Sequence, residues 1–533
     1  MKFLKTGISN FVAKRNSIQL HTMKKNTIAV VSLVLVLTCT AYAQPLQRSL
    51  PEAEGVSSKA IAEFADSASS SIKTEFHSFM VLRHGKVIAE GWWNPYRSDL
   101  KHTMYSCSKS FTTTAIGFAV QEKLLSVSDK VTSFFPDQLP DTVSTNLSDL
   151  TIKDVLMMSD GMDPDPSFKT RDDSNWVKAF LKTEIKYDPG TTFLYNSLGT
   201  YMLSAILQKV TGMQMLEYLK PRLFTPLGIT GIDWETDIKG INTGGWGLRL
   251  KTEDMAKFAQ FFLNKGKWNG KQLLSEDWIK EASSAQIMQK PNATQQEKDS
   301  NEWVQGYCYQ MWRCRYNAFR GDGAFGQYII MMPDQDAAVL ITAETSNMQE
   351  EINLVWKYLL PAFQKDKLPE DKNAQAALLS KLKTLALPVP SKSVATNIKV
   401  IKNKKFVFKD TLHLKDISFS FDKKDICHVK IQTDTTAYDL AFAPDKWLNG
   451  ETNKLLPSLT SNAIENTSFL YPAKIAGSYT WKDDHTLQLV LRYIESPHRE
   501  IYTCNFNGNK VSISYEKSFD FGSRKQTMEA VSE

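Results

Sequence analysis

Apolar residues recur along the chain with three different spacings. From 79 to 93 the sequence FMVLRHGKVIAEGWW sets two apolar runs on either side of His84-Gly85, the pattern of a β-hairpin. From Ser106 the spacing lengthens to three and four, with Phe111, Ala115, Phe118 and Leu125 on one face, which predicts a helix over 106–125. Further helical segments are expected around 151–158, 197–211, 252–264 and 276–283. From Trp303 the runs VQGYCYQMW, FGQYIIMMP and AAVLITAE read as strands, and 353–363 returns to a helix. Strands at both ends with helices between them predict an α+β region: one antiparallel sheet flanked by helices, with an inserted helical subdomain.

The pattern changes again beyond 365. Residues 365–392 are charged and then punctuated by proline, and read as a linker with one short helix. From about 396 the alternation has period two, in KFVFKD, HLKDISFSF, HTLQLVLRY and KVSISYEK, with a turn signal at Asn507-Gly508. A chain of 533 residues exceeds what one core accommodates. The expected organisation is an α+β region over 44–364, a linker over 365–395 and a smaller all-β domain over 396–533.

Composition matters most at the N-terminus. MKKNTIAVVSLVLVLTCTAYAQP begins with Met23, Lys24 and Lys25, continues with an apolar core from Ile28 to Leu37, and ends in Ala41-Tyr42-Ala43. That order predicts an export signal cleaved near Gln44, with residues 1–22 as an upstream extension. A membrane anchor would need about 20 apolar residues, and lipidation of Cys39 is disfavoured by Thr38. The expected location is periplasmic or secreted, without a stable membrane span. Residues 1–43 carry six basic side chains and no acid, so the formal charge of +6 belongs to them. The remaining chain is neutral, which gives no electrostatic case for a nucleic-acid partner. Five cysteines remain, and Cys308 with Cys314 or Cys427 with Cys504 are conceivable disulfides. Cys107 reads as a buried, inert thiol.

Ser106 stands three residues before Lys109 at the start of the helix, so both side chains share one face. A desolvated lysine there can lose its proton and accept one from the serine hydroxyl. Ser70, Ser98, Ser380, Ser420 and Ser514 also precede a lysine by three, but only Ser106 opens a long apolar-periodic helix. No histidine occurs between Thr103 and Leu412, so a serine followed by its histidine within this region is excluded. His102 reads as a capping or surface residue. There is no Gly-x-Ser-x-Gly elbow and no clustered metal-ligand set, so neither metal nor cofactor is expected. Gly321, Gly323 and Gly326 match Gly-x-Gly-x-x-Gly, but QYIIMMP continues as a strand where a dinucleotide site requires a helix.

Four segments in order resemble the serine β-lactamase-related family of class C β-lactamases, DD-peptidases and related esterases and amidases. They are YSCSKSFTTTAIGFAVQEKLLSVSDKV, TIKDVLMMSDGM, PGTTFLYNSLGTYMLSAILQKVTG and GGWGLRLKTEDMAKFAQFFLNKGKWNGKQLL. The resemblance implies that Ser106 is acylated, that Lys109 takes its proton, and that Tyr195 relays a proton to the leaving group. It also implies that the Ser106 N–H and a strand-edge N–H stabilise the oxyanion. A phenol near an ammonium should have its pKa lowered. The second box reads Tyr195-Asn196-Ser197, with serine in place of the usual asparagine, and Met158 stands where the family carries histidine. The third box, normally Lys or His, then Ser or Thr, then Gly, is replaced by Arg320, Gly321, Asp322, Gly323 and Ala324. In the family this box helps hold a substrate carboxylate, so the departure favours esters or other amides over acidic β-lactams and D-alanyl peptides. Substrate contacts are expected at Ser197, Arg320, Asp322, Gly323 and Ala324. The substrate is expected to be a small ester, amide or peptide; the competing reading is a non-catalytic binding protein that keeps the fold. The β domain resembles the lipocalin-like domains that accompany some exported hydrolases, with Trp447 and Trp481 expected in its core.

Overall fold

The computed structural model describes residues 45–167, 173–390, 401, 404–409, 413–458, 465–519 and 525–533. The expected signal over 1–43 lies outside them. The central sheet has six antiparallel strands in the order Lys86–Trp92, Thr74–Arg83, Ala337–Thr345, Gln327–Met332, Phe319–Gly323 and Trp312–Arg313. The N-terminal hairpin therefore pairs with the last strand of the region, Phe79 opposite Ile341. Its turn falls at His84 and Gly85, both with positive φ (49° and 74°). Helices cover both faces of the sheet. Met80, Leu82, Ile329, Met331 and Leu340 pack with the inserted helices on one side. Phe79, Val81, Ile330, Val339 and Ile341 pack on the other with Phe64 and Trp356. Burial on both faces explains why these strands read as unbroken apolar runs rather than as alternation.

The helix expected from Ser106 opens with a tight turn, Tyr105–Cys107, and continues as the α-helix Ser108–Gln121. The helices expected at 151–158, 197–211, 252–264 and 276–283 run over Ile152–Leu156, Ser197–Thr211, Thr252–Leu263 and Glu276–Ser283. The one expected over 353–363 begins earlier, as Met348–Leu354 followed by a wider turn Val355–Leu359. The expected strand VQGYCYQMW is not one. Only its last residue enters the sheet, and Gly306 and Gln310 take positive φ. Cys308, Tyr309 and Met311 are buried in the core shared with the helices and Tyr307 against Phe193 and Trp312, so tertiary packing rather than alternation accounts for its apolar character.

The helix Lys372–Lys383 lies against the α+β region, where Gln375 donates to Glu52 at 2.9 Å. Beyond it, ten strands from Lys405–Phe408 to Lys525–Ser532 form one sheet. A short parallel pairing of Ala443 with Ser478 closes nine of them into a barrel, with Leu448–Thr452 paired on the outside. Its interior is mostly apolar and includes Trp481, with the buried Glu500 carboxylate among Tyr493 and Tyr502, while Trp447 sits at the domain boundary and donates to the Leu387 carbonyl. The turn joining Thr486–Tyr493 to Arg499–Asn507 reaches into the α+β region. There the Glu495 carbonyl accepts from Thr103 and the Ser496 carbonyl from Tyr96. Cys107, Cys308, Cys314, Cys427 and Cys504 are all free and buried. Among the described residues no helix is long and apolar enough to cross a membrane.

Candidate active site

The turn Tyr105–Cys107 lies directly against the strand Phe319–Gly323, and glycine permits the approach. A Cβ at Gly321 would stand 2.9 Å from Ser110 Oγ, and one at Gly323 only 2.3 Å from the Met104 carbonyl. The Gly-rich run singled out in the sequence thus serves close packing, not nucleotide binding.

Ser106 is half-buried on the tight turn, and Lys109 lies one helical turn on and buried. Lys109 Nζ lies 3.1 Å from Ser106 Oγ, 3.0 Å from Ser197 Oγ and 2.8 Å from the Gly245 carbonyl. No carboxylate touches it. Burial holds its ammonium down to about 7, against opposing pulls from Asp165, Cys107 and Asp322. Near neutral pH a large share of the amine is therefore unprotonated. The Gly245 carbonyl can only accept, so it fixes one N–H; with Ser197 accepting a second, the lone pair is free to face Ser106.

Tyr195 comes from the residues just before the helix Ser197–Thr211. Its phenol lies close enough to Ser106 for that hydroxyl to offset part of the effect of burial, and Lys109 Nζ lies 4.8 Å from its ring centroid. The ring stacks on Trp312 (5.7 Å, 24°) and meets Tyr307 edge-on. Burial pushes its phenol above the usual value, opposite to the lowering expected from a neighbouring ammonium. Tyr195 is therefore a protonated phenol, a donor rather than a phenolate.

Asn196 turns away from the cleft. Its side-chain oxygen caps the following helix by accepting from Gly199 N, and its amide donates to Asp160 at 2.7 Å. Burial raises Asp160 to about 7. Met158, where the family carries histidine, packs its sulfur against Asn196 N.

The structure brings Ser106, Lys109, Tyr195 and Ser197 together. It places Arg320 differently from the expectation of a cation near substrate. Arg320 is fully buried, paired with Asp322 at 2.9 Å and donating to the carbonyls of Glu302 and Arg313. Trp303 lies against its guanidinium. Gly323 ends the strand beside the Met104 carbonyl, and Ala324 opens the turn that follows. His102 is buried with Nε2 3.0 Å from His77 Nδ1, neither a cap nor a surface residue.

Several contributors escaped the sequence reading: Gly245, Asp160, Tyr307 and Trp312. Gly245 lay within a segment already matched to the family, and a Cβ there would stand 3.3 Å from Lys109 Nζ. Tyr307 and Trp312 were hidden in the misread strand.

A serine, a lysine held down by burial and a phenol converge at the opening of a buried helix beside an antiparallel sheet. The family described as Beta-lactamase matches residues 74–362, more than half the chain, and the chain belongs to it. The 6-aminohexanoate-dimer hydrolase of Paenarthrobacter ureafaciens is 26% identical over 283 residues, covering 49% of this chain and 71% of that protein. A Salmonella agona (strain SL483) protein named "Putative D-alanyl-D-alanine carboxypeptidase" is 23% identical over 41% of this chain and 57% of its own length, so the chain spans less than two thirds of it. Among solved structures, a penicillin-binding protein homologue from Caulobacter crescentus aligns with TM-score 0.47 and 13% identity, over 59% of this chain and all of that one.

Proposed function

We propose that the protein is an exported serine hydrolase that cleaves an ester or amide through an acyl-Ser106 intermediate. The observation that carries this reading is Lys109: a buried amine 3.1 Å from Ser106 Oγ with no carboxylate in contact. Lys109 takes the hydroxyl proton as Ser106 Oγ bonds to the substrate carbonyl carbon. The N–H groups of Ser106 and Ala324 receive the developing oxyanion. As the tetrahedral adduct collapses, Tyr195 gives its proton to the departing oxygen or nitrogen and is reprotonated from the Lys109 ammonium. Water then attacks the acyl-enzyme, returns a proton through the same groups, and releases the acid.

Arg320 is neutralised by Asp322, so the strand offers no spare positive charge to a substrate carboxylate. Neutral esters and amides suit this cleft better than β-lactams or D-alanyl peptides. Intact-mass measurement after treatment with a fluorophosphonate or a penicillin tests the reading. One adduct on the wild type and none on Ser106→Ala is expected. In a panel of nitrocefin, a D-Ala-D-Ala peptide and short p-nitrophenyl esters, the esters should react first. No adduct and no turnover would favour a binding protein, and fast nitrocefin hydrolysis with inert esters would overturn the substrate preference.

A further inference from the structure

Two residues beside the expected oxyanion donors hold unusual backbone. Tyr105, immediately before Ser106, has φ 44°, and Phe325, immediately after Ala324, has φ 66°. A left-handed backbone is unfavourable for a bulky aromatic and persists only where surroundings impose it. One side chain touches both residues, and it comes from the barrel. His498 Nε2 lies 2.5 Å from Tyr105 Oη, and the imidazole meets the Phe325 ring edge-on at 4.8 Å. Tyr105 and Phe325 also contact each other at 5.5 Å.

His498 is itself fixed. It is fully buried at the start of Arg499–Asn507, with Nδ1 2.7 Å from Glu344 Oε1 and Phe519 packed on its ring at 4.1 Å. Glu344 also accepts from Ser518 at 2.5 Å and Arg499 at 3.0 Å. A carboxylate can only accept, so Nδ1 carries the proton, and the neutral Nε2 accepts from the Tyr105 hydroxyl. Burial keeps the imidazole pKa below its ordinary value despite Glu344.

We infer that His498 is a positioning residue that sets the oxyanion hole from the C-terminal barrel, holding the turn before Ser106 through Tyr105 and the turn after Ala324 through Phe325. This rests on the hydrolase reading above. It assigns the barrel a part in catalysis without any barrel atom touching substrate.

The test uses full-length mature protein carrying Tyr105→Phe, His498→Leu, His498→Gln or the Tyr105→Phe/His498→Leu pair. The rate of fluorophosphonate labelling and the kcat and KM for a p-nitrophenyl ester are measured alongside Tm. Tyr105→Phe and His498→Leu should each slow labelling by about 10- to 100-fold, the scale of a small misplacement of reacting groups. The loss should fall on kcat with KM within about twofold. The pair should be no slower than the worse single variant. His498→Gln, which can accept from Tyr105 and donate to Glu344, should keep most of the rate. Tyr105→Phe that folds and labels at the wild-type rate overturns the inference. So does a His498→Gln as slow as His498→Leu, because shape rather than the hydrogen bond would then be responsible. Should His498→Leu fail to fold, Tyr105→Phe and His498→Gln decide. A wild type that no reagent labels sinks the hydrolase reading and this inference together; a labelled wild type with unaffected variants sinks this inference alone.

Discussion

Lys109 in the cleft and Lys454 at the barrel wall are both long cations drawn largely out of water, yet their partners differ. Lys454 meets both oxygens of Glu500, at 2.7 and 2.9 Å. The hydroxyls of Tyr493, Tyr502 and Tyr515 complete that carboxylate. Charge and countercharge balance, every lone pair has a donor, and the cluster has nothing left to do but hold strands together. Lys109 meets two hydroxyls and one carbonyl. Its buried charge has no balancing carboxylate in contact, and burial therefore pushes the proton off. The contrast teaches that the fold makes a lysine easy to deprotonate by withholding its carboxylate rather than by adding a special group.

The comparison makes opposite predictions for the same substitution. Lys109→Met should reduce esterase turnover by about 10³-fold or more, since the proton acceptor is gone. Its stability should not fall. A lysine whose folded pKa lies near 7, below its unfolded value of about 10.4, binds fewer protons folded than unfolded. Stability at neutral pH is thus reduced by that group and rises as pH climbs from 7 through 10. Replacing it should leave urea midpoints at pH 7 unchanged or raised by up to about 2 kcal/mol, after the lost hydrogen bonds to Ser197 and Gly245 are set against the gain. Lys454→Met should do the reverse. Removing one partner of a buried pair leaves Glu500 charged and underpaired, at a cost of about 3–5 kcal/mol, while kcat for the folded fraction stays near wild type. A destabilised Lys109→Met, or an untroubled Lys454→Met, would break the comparison.

What the sequence could show of these two clusters follows from distance along the chain. Ser106 and Lys109 share one helical face, and local periodicity suffices to pair them. Tyr195 is 89 residues on and is reached only through the resemblance of its box to a family. Arg320 and Asp322 sit two apart on one strand, so alternation puts both on the same face, where they were free to pair; taken singly, Arg320 looked like a substrate contact. The fold was legible where strands are buried on both faces, as in QYIIMM and AAVLITAET, and illegible at 304–311, where apolar residues are buried without a repeating backbone. His498 lies 393 residues from Tyr105, in another domain, and neither periodicity nor motif joins them.

The pH dependence sharpens the contrast further. If the neutral amine of Lys109 is the base, kcat/KM for a neutral ester should rise with pH through an apparent pKa near 7, and activity should be lost on the acid side. Lys109→Arg, which keeps the charge but cannot give up its proton, should show no such limb and only residual turnover, about 10³-fold down or lower. A flat profile from pH 5 to 9 in the wild type would mean that the amine is not titrating where its burial places it.

The smallest expected effect restores the missing countercharge. Ser197 Oγ is 3.0 Å from Lys109 Nζ and on the cleft side of the helix start, so Ser197→Asp places a carboxylate beside the amine. An opposite charge at such range raises a lysine pKa by about 1–3 units, so the acid limb should move alkaline by at least about one unit. Turnover at pH 7 should fall about tenfold or more, while turnover at pH 9 stays closer to wild type. Ser197→Ala removes the same hydroxyl without adding charge and should shift the limb little, with a loss of a few-fold from one hydrogen bond. If the two variants gave the same profile, the hydroxyl's geometry rather than the absence of charge would govern Lys109, and the two lysines would differ in packing instead of in electrostatics.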